Sequence, residues 1–109
     1  MLVGVALFEI GIPHAQSLKE KRAVVKSLRE KLRHRFEFAA AEVGLHDLHQ
    51  RARLAVAFIS LDQAGADGMF ESVLRYIEAS IDGTVGGWTT EVLDFDENAT
   101  LGIPGFDFS

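Results

Sequence analysis

The sequence predicts an α+β fold, a four-stranded antiparallel sheet with two helices on one face. Three observations carry that expectation. Apolar residues switch between a period of two and a period of 3.6 in the order β-α-β-β-α-β. A capping-box spacing, Ser17-Leu18-Lys19-Glu20, marks a helix start directly after the first strand. The chain has 109 residues, enough for one core and too few for two domains with a cleft between them. Right-handed crossovers then put the first and third strands in the centre of the sheet, the split βαβ arrangement of ferredoxin-like folds.

The elements follow in order. Leu2 to Ile12 is rich in β-branched and aromatic residues and is stopped by Pro13, so it reads as a strand. The Ser17 oxygen can serve an orphan backbone N–H, and a helix runs from Leu18 to about Arg35. Leu18, Val25, Leu28, Leu32 and Phe36 line one side of it. Phe36 to Val43 alternates like a second strand, Gly44 to Asp47 supplies turn residues, and Arg53 to Leu61 is the third strand. Asp62 to Gly68 reads as a loop leading into a second helix from about Asp67 to Ser80, with Phe70, Val73, Leu74 and Ile77 at helical spacing. Thr84 to Phe95 is the fourth strand, with a bulge expected at Gly86-Gly87. The domain is therefore expected over residues 1–95, with 96–109 as a C-terminal tail. The central strands are apolar on both faces, whereas a sheet open to water alternates. A homodimer, or the tail through Leu101, Ile103, Phe106 and Phe108, is expected to cover the second face.

Composition narrows the chemistry. There is no cysteine, which excludes disulfide scaffolds, thiolate metal sites and cysteine nucleophiles. The apolar stretch from Met1 to Phe8 stops at Glu9 and has neither a basic flank nor a small-residue cleavage site. It is read as no signal peptide and no membrane span, and the protein is expected in the cytoplasm. The net charge of −5 is unevenly spread. Residues 1–60 hold ten Lys/Arg against six Asp/Glu, and residues 61–109 hold one against ten. A polyanionic partner would have to be met by a patch.

Two segments stand out together: Ser17-Leu18-Lys19-Glu20-Lys21-Arg22 after Ile12-Pro13, and Ala41-Glu42-Val43-Gly44 followed by Asp47, Gln50, Arg51 and Ala52. In this order and spacing the chain, from residue 1 to about 95, resembles the YlxP-like family of small bacterial proteins of unknown function. The resemblance implies a ferredoxin-like fold. It also implies an RNA-related role, because members are often encoded beside translation-initiation and ribosome-maturation genes. His49 stands where members commonly carry tryptophan.

The predicted topology brings these segments to one end of the domain. Strand one ends there, helix one begins, strand two ends and strand three begins. Ser17, Lys21, Glu42, Asp47, Gln50 and Arg51 are the residues expected to converge, with the Asp82-Gly83 turn beside them. Lys21 falls in the apolar sector of helix one, where an ammonium must snorkel or meet a carboxylate; Glu42 and Glu9 are the candidates.

Lys19, Arg22, Lys26, Arg29 and Arg33 recur at spacings of three and four. They form one ridge, roughly 21 Å long at 1.5 Å per residue, the scale of several nucleotide phosphates. Glu30 is the local neutraliser, placed to pair with Lys26 or Arg33. The alternative is a solvated helix flank. Neither strand one nor strand three carries the aromatic pattern of an RNA-recognition motif, so any RNA is expected to be held through phosphate and shape. His46, Asp47 and His49 are weak candidates for a divalent metal, and no metal or other cofactor is expected. No nucleophile signature or phosphate-cradling glycine loop is present. The leading expectation is a non-enzymatic cytoplasmic homodimer that binds structured RNA or a ribosomal particle and no membrane. An interaction module for a protein partner, and a small enzyme or metal binder, are the other two.

Overall fold

A computed structural model of the chain describes residues 1–96, in which β1 (Leu2–Gly11), α1 (Leu18–Phe36), β2 (Ala39–Gly44), β3 (Arg51–Ser60), α2 (Gln63–Ser80) and β4 (Thr84–Asp94) succeed one another. The strands form one sheet in the order β2-β3-β1-β4, every neighbouring pair antiparallel. This is the ferredoxin-like α+β arrangement that the alternating periods predict. The even-numbered residues of the central strands carry the core. Ala6, Phe8 and Ile10 of β1 and Ala52, Leu54, Val56 and Phe58 of β3 are buried in one cluster with Val25, Leu28 and Leu32 of α1 and Phe70, Val73 and Ile77 of α2. Each large side chain so buried contributes about 1.5–3 kcal/mol.

Several boundaries depart from the sequence reading, the two largest for a local reason. The strand expected from Phe36 begins at Ala39. Helix α1 continues through Phe36 because Glu37 takes the left-handed conformation at its C-cap (φ 54) and its N–H closes on the Arg33 carbonyl. Phe36 instead joins an aromatic cluster, stacked on Phe38 at 5.3 Å and edge-on to Tyr76 at 5.5 Å. The expected loop from Asp62 to Gly68 is already helix. Asp62 is the N-cap, its carboxylate accepting from the Gly65 N–H at 2.7 Å, so α2 starts at Gln63 rather than Asp67. The third strand runs Arg51–Ser60 rather than Arg53–Leu61, and the hairpin turn is longer than Gly44–Asp47, with Leu45 at φ 61. The first and fourth strands each end one residue early, at Gly11 and Asp94.

The bulge expected at Gly86-Gly87 is present. The β1–β4 register shifts between Leu7 and Glu9, Gly87 sits at φ 61, and Trp88 packs its ring 5.4 Å from Phe8. No helix among the described residues is long and apolar enough to cross a membrane. The tail residues Leu101, Ile103, Phe106 and Phe108 lie outside the described residues.

Candidate nucleic-acid interface

Ser17, Lys21, Glu42 and Gln50 come together at the convergent end, while Asp47 and Arg51 stay outside their network. Ser17 caps α1, its Oγ accepting from the Glu20 N–H at 3.1 Å, while the Glu20 carboxylate accepts from the Gln16 N–H at 2.7 Å. Lys21 is 1% exposed, deep in the apolar sector of α1. Its Nζ donates to the Leu45 carbonyl at 2.6 Å and lies 3.0 Å from Glu42 Oε2. The second contact is Coulombic, since that oxygen is buried and lies off any hydrogen-bond direction. Of the two carboxylates the sequence offers Lys21, Glu42 is the partner. Glu9 points to the opposite face of the sheet.

Gln50 ties the strands to the β1–α1 connection. Its Nε2 donates to the carbonyls of Pro13 and Ala15 at 3.2 and 3.4 Å, and its backbone carbonyl accepts from the Ile12 N–H. The Asp82-Gly83 turn closes the same end so tightly that a Cβ on Gly83 would fall 1.9 Å from the Gly11 carbonyl oxygen. Arg51 reaches this end but on the open face, where it and Arg53 both donate to Glu9, at 2.5 and 2.7 Å. These two guanidiniums, Arg53 foremost, hold the Glu9 carboxyl below its ordinary value. His14 lies 3.8 Å from Asp82. Asp47 makes no side-chain hydrogen bond or ion pair among the described residues. His46, Asp47 and His49 do not come together as a metal-binding group; no three His, Asp or Glu do among the described residues.

The basic ridge lies along the other flank of α1, beside edge strand β2. Arg22, Lys26, Arg29 and Arg33 border a groove of about 480 Å³ with Glu30 and Glu42; Lys19 stands outside it, nearer the helix N-terminus. Glu30 forms no ion pair with Lys26 or Arg33, contrary to the i,i+4 expectation. Arg33 turns to the sheet edge instead, where its guanidinium donates to the Ala40 carbonyl at 2.9 Å. Arg22, Lys26 and Arg29 have no anionic partner among the described residues, and the Arg29 Nε is buried without an acceptor. The charge of Glu42 is already matched by Lys21 beneath the groove.

Three contacts of this region carry no mark in the sequence: Lys21 on the Leu45 carbonyl, Gln50 on the β1–α1 loop and Arg33 on the Ala40 carbonyl. Each uses a backbone oxygen whose position depends on the folded topology.

The model of a protein family of unknown function, DUF503, matches residues 3–88. The chain is 32% identical over 78 residues to the uncharacterized protein YlxP of Bacillus subtilis (strain 168), covering 72% of this chain and 85% of that protein. With its motif segments folded into one end of the domain, the chain belongs to the DUF503, YlxP-like family.

Proposed function

We propose that this protein binds structured RNA, free or in a ribosomal particle, through phosphate contacts in the groove between α1 and β2, and that it does so without catalysing a reaction. One observation carries the reading. Arg22, Lys26 and Arg29 project along a single groove and form no ion pair among the described residues, although Glu30 borders the same groove. An i,i+4 carboxylate can neutralise a surface cation on a helix, as Glu71 does for Arg75 on α2. A phosphate backbone would supply the missing charge and the acceptors for the exposed guanidinium and ammonium donors. The RNA-related neighbourhood implied by the family resemblance points the same way.

Charge reversal of Arg22, Lys26 and Arg29 together tests the proposal. The variant is expected to fold and to lose RNA association. The wild type should bind with a log–log salt slope of about −2 to −4, corresponding to three or four phosphates. A wild type that retains no RNA at about 50 mM salt, or an affinity flat with salt, sinks the proposal.

A further inference from the structure

The second face of the sheet is uncovered among the described residues and is strongly apolar at its centre. Its outward side chains come from the odd-numbered positions of β1 and β3 and their partners on β2 and β4. Their sizes are sorted. Val3, Val5 and Leu7 make a ridge along β1, widened at one end by Ile59 and Leu93. Beside it, Ala39 and Ala41 of β2 and Ala55 and Ala57 of β3 form a trough of about 480 Å³, bounded by Val5 and Arg33. A ridge of branched residues next to a trough of alanines is a self-complementary shape.

We infer that this face pairs with the same face of a second copy of the chain, the β1 ridge of each copy filling the alanine trough of the other about a two-fold axis parallel to the strands. Closed two-fold dimers need this kind of matching within one patch. The area is sufficient. The four strands hold 37 residues between them; at about 3.3 Å per residue and about 4.8 Å between strands they present about 600 Å² per copy, and two copies reach about 1,200 Å², the lower bound for a stable interface.

Charge placement supports the same axis. Glu91, Val5, Ala57 and Ala39 stand on one rung across the sheet. A two-fold axis parallel to the strands preserves the height of each rung and sets β4 of one copy beyond the β2 edge of the other. Glu91, exposed and without an ion pair among the described residues, then comes level with Ala39 of the second copy. There the Arg33 guanidinium is held on the Ala40 carbonyl, with further N–H donors to spare. Arg33 borders both surfaces, but Arg22, Lys26 and Arg29 stay on the outside of the pair, so this inference stands whether or not the groove binds RNA.

Sedimentation velocity of the full chain at about 100 µM, with far-UV circular dichroism as the check on folding, is the test. The wild type is expected to be a dimer and Val5→Glu a folded monomer. Glu91→Lys should weaken dimerisation roughly tenfold, and Arg33→Glu combined with it should restore the loss. A monomeric wild type overturns the inference. A folded Val5→Glu that remains dimeric overturns it as well, and a Glu91→Lys variant that dimerises as the wild type does refutes the axis.

Discussion

The two flanks of α1 use the same chemistry to opposite ends. At its N-terminal end, Lys21 and the neighbouring polar groups are spent on the protein itself: an ammonium on a carbonyl and a carboxylate, a serine on a helix N–H, a glutamine amide on two loop carbonyls. Along the groove, Arg22, Lys26 and Arg29 are spent on nothing the described residues provide. The residues that carry the family resemblance are therefore largely those that hold β1, α1 and the β2–β3 hairpin together. Of the repetitive cations left over for a partner, Arg22 closes the first motif segment, while Lys26 and Arg29 belong to neither segment. The contrast predicts a clean separation. Substitutions at the convergent end should lower stability, and substitutions in the groove should lower binding.

The largest effect is expected at Lys21. Replacing it with methionine preserves the apolar stem but strands Glu42 and the Leu45 carbonyl, at a cost of about 3–5 kcal/mol if the pair behaves as buried ion pairs do. Glu42 retains 15% of its side-chain exposure, so the lower end of that range is expected. In a double-mutant cycle with Glu42→Gln, measured by urea unfolding, the two losses should fall short of additivity by about 1–3 kcal/mol. Additive losses would mean that the 3.0 Å contact contributes nothing.

Smaller losses are expected from the neutral hydrogen bonds of the same end. Ser17→Ala should cost about 1 kcal/mol as a lost N-cap, and Gln50→Ala about 1 kcal/mol, its two donor contacts being long. Neither should change the salt slope of RNA binding. Arg22→Ala is the counterpart in the groove. Its stability should stay within about 0.5 kcal/mol of the wild type, while the salt slope falls by about one. A destabilised Arg22→Ala with unchanged binding would reverse the assignment of the two flanks.

The capping box, the central strands, the ridge and the misfit of Lys21 are all legible in the sequence, because each depends on residues within one element or on the handedness of a crossover. What is not legible there depends on where backbone ends up. Phe36 and Phe38 alternate as a strand would, and only the left-handed turn at Glu37 shows that the first of them is helical. Gly65 and Gly68 disguise the first turns of α2, whose start rests on the single carboxylate of Asp62. Arg33 has the right spacing to pair with Glu30, yet the unpaired carbonyl of edge strand β2 competes for it and wins. A carbonyl at a sheet edge has no residue-type signature, so periodicity cannot find it.

The open face offers a contrasting pair of guanidiniums against which to set the groove. Arg51 and Arg53 are arginines with a carboxylate between them, and they lower the ionisation point of Glu9 from its ordinary 4.5. A carboxyl whose folded-state pKa is depressed contributes stability that is fully present above its unfolded value. That contribution disappears as pH falls through the lower folded value. Glu9→Gln should therefore be less stable than the wild type by a constant, small margin at neutral pH, since all three side chains retain solvent contact. The margin should shrink as pH drops below about 4.5 and close in stronger acid. Arg29→Gln in the groove has no carboxylate to lose, so its urea midpoint relative to wild type should not move over the same range. A Glu9→Gln gap that widens with acid, or an Arg29→Gln gap that tracks it, would show that the two sets of guanidiniums are not divided into paired and unpaired as the geometry has them.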